Sequence, residues 1–334
     1  LNEKISRKRI HPHPKKSNRN YSPDGLNMKK SGIKFIFFSF LTYFILGQAW
    51  AQQPDSNPWI GPSPTSIPQN PQGKLIRYGK ALIENTSYYL GPKGKVKAAS
   101  NGMNCQNCHL EAGAKPWGNN YFGVAALYPK FRARSGGMES IAKRVNDCFQ
   151  RSLNGKGIDS TSREMKAIIA YMEWLGTNIP KGTKVIGTGI RDIAFLDRAA
   201  DPEKGKTLYQ EKCITCHLSE GTGIKNPATG GYTFPPLWGK HSYNTGAGLF
   251  RLSRLAGYIY DNMPQGSTYQ ARQLTEEQAW DLAAFINTRE RPGFDNSKDW
   301  PDIGGKPIDH PFGPYKDLFS EAQHKLGPFK AMKK

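Results

Sequence analysis

The chain has 334 residues and five cysteines, and four of these fall into two copies of one motif. Asn104-Cys105-Gln106-Asn107-Cys108-His109 and Cys213-Ile214-Thr215-Cys216-His217 both contain Cys-x-x-Cys-His. That is the attachment signature of c-type haem. Two intervening residues let both thiols reach one porphyrin edge as thioethers, and the adjacent histidine supplies the proximal nitrogen to iron. A redox dithiol or half of a zinc site competes for either copy alone. Two copies, each between a leading and a closing helix, favour two covalently bound haems c. Cys105, Cys108, Cys213 and Cys216 are then the attachment points, and His109 and His217 the proximal ligands. A disulfide scaffold is excluded.

A haem that carries electrons normally takes a sixth ligand. For the second motif the main candidate is Met263, 46 residues after His217 and just before Pro264. A thioether there raises the reduction potential. His241 and Lys240 are weaker rivals. For the first motif no histidine lies between His109 and His217. Met138, in a Gly-Gly-Met-Glu loop, and Cys148 both remain open. On a helix, Arg144, Arg151 and Ser152 share the face of Cys148. Guanidinium groups favour the thiolate, the form that binds iron or attacks sulfur. The same arginines, with Arg132 and Arg134 upstream, suit bidentate capture of an oxyanion. An inert buried thiol is the alternative.

The elements that must position these residues repeat. A helical segment around Leu75–Ile83 leads into the first motif. A helix over Ser140–Leu153 follows, and Thr161-Ser162-Arg163-Glu164 reads as a capping box. The helix it opens places Met165, Ile168, Ile169, Met172 and Leu175 on one face. In the second half, Pro202–Tyr209 leads into the motif. A helical segment with Leu252, Leu255, Ala256 and Ile259 ends at Asn262-Met263-Pro264, and Thr275-Glu276-Glu277-Gln278 is another capping box. Strand signals are weak. The expectation is a mainly α protein: two class I cytochrome c-like haem domains in tandem, at 73–185 and 186–292, with long loops and a wrapping tail over 293–334.

Hydrophobic residues make up 37% and charged residues 22%, which fits a globular chain and not a multi-span membrane protein. The net charge is +20, but much of the excess lies at the start. Residues 1–27 are basic and precede Met28, where translation is expected to begin. Lys29, Lys30 and Lys34, the apolar run Phe35–Leu46 and Ala49-Trp50-Ala51 read as a signal peptide over 28–51. The run is short for a membrane span, and no cysteine near the cleavage site offers a lipid anchor. Residues 52–72 form a Pro- and Asn-rich lead-in. An exported, periplasmic protein without a permanent membrane anchor and without nucleic acid as a partner is expected.

The arrangement resembles the periplasmic dihaem thiosulfate dehydrogenases. The resemblance rests on Tyr128-Pro129, Arg132-Ala133-Arg134, Arg144-Val145-Asn146-Asp147-Cys148-Phe149, Arg151-Ser152-Leu153-Asn154-Gly155, Phe234-Pro235-Pro236-Leu237-Trp238-Gly239, Gly246-Ala247-Gly248, Asn262-Met263-Pro264, and His324 with Gly327-Pro328-Phe329. It covers nearly all of 73–330. It implies coupling of two thiosulfates to tetrathionate with release of two electrons, a reaction some members reverse, and a small periplasmic acceptor such as a cytochrome c. It implies that Cys148 is the distal ligand of the active-site haem and carries substrate sulfur transiently. It implies anion binding by Arg134, Arg144 and Ser152, and Met263 as the second distal ligand. Some relatives have a lysine that exchanges with that methionine. Here Tyr260-Asp261-Asn262 precedes it, so plain His/Met ligation is expected. A dihaem carrier without its own substrate, or a haem subunit of a sulfur-oxidising complex, are the rival functions.

Overall fold

A computed structural model describes residues 57–333. Segments 1–27 and 28–51, with the cleavage site, lie outside them. The first half runs α1 (Pro71–Glu84), α2 (Thr86–Leu90), α3 (Leu110–Gly113), α4 (Val124–Leu127), the hairpin β1 (Lys130–Arg132) and β2 (Gly137–Glu139), α5 (Ile141–Arg151) and α6 (Arg163–Leu175). The second runs α7 (Pro202–Lys212), α8 (Ile214–His217), β3 (Ile224–Lys225), β4 (Tyr232–Phe234), α9 (Leu252–Asn262) and α10 (Glu276–Asn287), and α11 (Glu321–Leu326) follows in the tail. Both ladders are short antiparallel pairs. The chain is mainly helical, as expected.

Local chemistry accounts for the helix starts. The Asn70 side chain accepts from the Gly73 amide at 2.9 Å, and Pro71 occupies the first helical position, where no amide is needed. Thr275 and Gln278 exchange side-chain and backbone bonds at 3.0 and 3.2 Å, so the second capping box forms. The first does not. Ser162, not Thr161, caps α6, and Glu164 instead accepts from the Tyr78 hydroxyl of α1 at 2.9 Å. A tertiary partner has taken the carboxylate that would have closed the box. On α6, Met165, Ile168, Met172 and Leu175 are buried as their spacing requires.

Each half is closed by one helix crossing of the same kind. Helices α1 and α6 meet at Gly79, where an added Cβ would lie 1.9 Å from the Ala167 carbonyl oxygen. Helices α7 and α10 meet at Gly205, where it would lie 2.0 Å from the Asp281 carbonyl oxygen. The first core gathers Leu82, Ile83, Phe122, Phe149, Met165 and Tyr171. The second gathers Tyr209, Leu252, Trp280, Leu282 and Phe285. Tyr232, Tyr243 and Ala247 follow the second motif in sequence, yet they pack in the first core. The halves therefore share a buried seam.

The tail is tied to the first half. Asp299 accepts from both terminal nitrogens of Arg151, at 2.8 and 2.7 Å. The Trp300 amide donates to the Arg134 carbonyl at 2.8 Å. Pro301 packs over Gly136, leaving no room for a side chain there.

Gly79→Ala is expected to destabilise the haem-loaded protein by about 1–3 kcal/mol through overpacking. Gly137→Ala, where nothing lies within 4 Å of the added carbon, serves as its control. Urea unfolding of both variants checks this.

Candidate active site

The first motif sits on a short 3₁₀ turn, Cys105–Asn107, closed by the Asn107 side chain accepting from the Asn104 amide at 2.8 Å. All five cysteines are unpaired. Burial pushes the Cys105 thiol up to about 11 and the Cys213 thiol up to about 11. A redox dithiol needs the opposite shift. The His109 ring nitrogen Nδ1 bonds the Asn119 carbonyl, and that of His217 bonds the Pro235 carbonyl at 2.9 Å. Carbonyls only accept, so Nδ1 carries the proton and Nε2 is left as the free donor atom for a metal. Burial lowers both imidazoles, His109 to about 4, so both are neutral at physiological pH.

A cavity of about 470 Å³ is lined by Cys213, Cys216, His217, Leu255 and Met263 and reaches Cys108. Its wall includes Asn262, whose Oδ1 is buried without a hydrogen-bond partner. Apolar walls, two free thiols, an oriented imidazole and an unsatisfied polar atom suit a porphyrin. Met263 shares this cavity with His217, whereas Lys240 and His241 are exposed and do not line it.

A second, smaller pocket of about 150 Å³ lies against the first motif. It is lined by Cys108, His109, Cys148, Ser152, Arg132, Arg134 and Arg144. Helix α5 brings Arg144, Cys148 and Ser152 here because residues four apart share a stripe. Cys148 and His109 therefore meet in one pocket. Met138 does not join them: it pairs with Phe131 across the hairpin, and both are exposed, at 67% and 62%.

The pocket holds five arginines and no carboxylate among its lining residues. The neighbouring Cys148 sulfur is the main influence holding the Arg144 guanidinium above its usual range. Burial and the neighbouring Arg151 charge push Arg134 down to about 10, still cationic at neutral pH. Arg134 donates to the Gly246 carbonyl at 3.0 Å and lies 3.9 Å from Asp299. Arg132 lies 3.8 Å from Glu139 at the rim.

One expectation is corrected. Arg151 shares the helix face of Cys148 but does not line the pocket, because Asp299 of the tail neutralises it. Three contributors carry no signal in the sequence. Arg251 and Arg254, at the start of α9, and Trp300 of the tail complete the wall. No local spacing relates them to Cys148.

The chain is similar to known proteins. A family model described as "SoxA/TsdA, cytochrome c domain" matches residues 95–180, and one for cytochrome c matches 202–290. A thiosulfate dehydrogenase from Stutzerimonas stutzeri is 38% identical over 231 residues, covering 69% of this chain and 72% of the relative. Another, from Allochromatium vinosum, is 35% identical over 74% of this chain and 89% of its own length. The chain belongs to the thiosulfate dehydrogenase family. Its fold is that of a solved thiosulfate dehydrogenase, TsdBA, from Marichromatium purpuratum, with a TM-score of 0.66 at 31% identity. The match covers 71% of this chain and 50% of that one, so the chain spans half the length of the solved protein. Like its relatives, this thiosulfate dehydrogenase homologue is built from two cytochrome c domains and carries two c-type haems.

His310 stands edge-on to the Trp300 ring at 5.8 Å and is buried. Burial lowers it from 6.5 to about 4. The unfolded chain binds this proton first, so stability contributed by neutral His310 is present above about 6.5 and lost as pH falls toward 4. The urea midpoint is expected to drop between pH ~7 and ~5, and less steeply in His310→Asn.

Proposed function

We propose that this protein couples two thiosulfates to tetrathionate and releases two electrons to a small periplasmic acceptor. The observation that carries the reading is the arginine-lined pocket in which Cys148 and His109 meet, in a member of the thiosulfate dehydrogenase family. Two dianions repel, and fixed guanidinium groups offset that repulsion without reorganising. Sulfonate oxygens suit the forked donors of Arg134 and Arg144 and the hydroxyl of Ser152.

Within the proposed first haem domain, 73–185, His109 and Cys148 would hold the iron. Within the second, 186–292, His217 and Met263 would. The haems, when bound, take up one electron each. The chain's part is nucleophilic. Cys148 thiolate forms a bond to the outer sulfur of one thiosulfate, and two electrons leave. The product is a Cys–Sγ–S–SO₃⁻ adduct in which the Cys148 sulfur is joined to the thiosulfate's outer sulfur. The outer sulfur of the second thiosulfate then attacks that adduct sulfur. The bond to Cys148 breaks, tetrathionate departs and the thiolate returns. Charge balances at each stage, and no proton is needed.

Electron exit is assigned to the second motif. Ile214, Leu218 and Ile224 are exposed beside it, with exposed Lys212 and Lys225 adjoining. An apolar patch with basic neighbours suits brief contact with an acidic redox protein such as a cytochrome c. Among the described residues, no helix is long and apolar enough to cross a membrane.

The test is thiosulfate-dependent ferricyanide reduction by the haem-loaded protein, with tetrathionate assayed as product. Cys148→Gly is expected to retain both haems and lose at least ~10³-fold in turnover. Full activity in that variant refutes the cysteine mechanism. Arg144→Gln is expected to lower kcat/KM by about 10- to 100-fold. Met263→Gly is expected to leave thiosulfate binding intact and lower one midpoint potential, because a thioether ligand raises it. Redox titration with two unchanged potentials would remove Met263 from the iron.

A further inference from the structure

Tetrathionate carries a sulfonate at each end, so a pocket that forms it must hold two anionic ends, one on either side of the reacting sulfurs. Arg134, Arg144 and Ser152 lie on the wall contributed by the first half. Further polar contributors to the lining come from elsewhere in the chain: Arg251 and Arg254 at the start of α9, and Trp300 in the tail.

These three are not equivalent. Arg251 is committed to Asp309, with Nε at 2.9 Å from a carboxylate that is itself buried. Arg254 pairs at 2.7 Å with Asp192, whose side chain is 71% exposed. Such a rim pair is weak and exchanges its partner at little cost. Trp300 presents a buried indole N–H that has no hydrogen-bond partner. Buried donors are nearly always satisfied, so one left unpartnered in a residue that lines the pocket marks a place for an acceptor. Trp300 is also held in the left-handed backbone region, φ 61°, which a bulky residue occupies only under constraint. The constraint is visible: its amide bonds Arg134, its neighbour Asp299 grips Arg151, and its ring lies 5.5 Å from the Arg134 guanidinium.

We propose that Arg254 and the Trp300 indole N–H form a second sulfonate subsite. It receives the second thiosulfate and then holds the far end of tetrathionate. The proposal rests on the thiosulfate reading above and adds which residues bind the second anion. A haem carboxylate could satisfy the same donors, and the test separates the two.

Each anion is titrated calorimetrically against haem-loaded protein carrying Cys148→Gly, which has no thiolate to exchange with tetrathionate, and the Arg254 and Trp300 variants are made in that background: tetrathionate with the oxidised protein, thiosulfate with the reduced. Arg254→Gln is expected to weaken tetrathionate about tenfold and Trp300→Phe severalfold, since each removes one donor and the second keeps the ring. Binding of the first thiosulfate, held by the first-half residues, is expected to change less than about twofold. Haem content and midpoint potentials are expected to match the Cys148→Gly parent. Unchanged tetrathionate affinity overturns the subsite, as does equal weakening of both anions, which signals only a diffuse field. A shifted haem potential with unchanged anion binding assigns these donors to haem carboxylate and also overturns it. If the Cys148→Gly parent binds neither anion, the thiosulfate reading itself fails.

Discussion

Backbone-to-backbone contact between paired helices is the constraint on which the rest of the structure depends. At Gly79 against Ala167, and at Gly205 against Asp281, the helices approach so closely that even one methyl group is excluded. Larger residues there would push α1 from α6, or α7 from α10. The thiols and histidines hang from turns fixed to these crossings: Thr86, at the start of α2, holds the Cys105 amide at 2.9 Å. Where each motif sits in its half therefore depends on helices whose crossings rest on two glycines outside the motifs.

The second organising feature is electrostatic. Concentrating arginines in one small pocket is costly unless anions balance them. The protein places the balancing carboxylates behind the arginines. Asp299 stands behind Arg134 and Arg151, Asp309 behind Arg251, and Glu139 behind Arg132. None of these acids lines the pocket. The cations are thus held in place while the cavity itself stays positive, an arrangement that suits anionic ligands. The tail supplies both Asp299 and Asp309, so a segment without a core of its own sets the charge of the site.

Much of this site is legible in the sequence. The two Cys-x-x-Cys-His motifs, Met263 after the α9 segment and the stripe of Arg144, Cys148 and Ser152 all follow from local spacing, and the structure gathers them around two pockets. The capping boxes are half legible. Thr275 and Gln278 close theirs because neither has a better partner. Glu164 leaves its own for Tyr78, a contact between residues 86 positions apart.

Sequence by itself determined the spacing of thiols and histidine within each motif and which side chains share a helix face. These depend on bonds and on the 3.6-residue turn, which are local. Tertiary structure alone decided which arginines line the pocket. Arg151 sits as close to Cys148 in sequence as Arg144 does, yet Asp299, 148 positions away, turns it from the pocket. Arg254 and Trp300 enter from remote segments. A helix period states which residues stand side by side, but what each meets across space is set by how the whole chain packs.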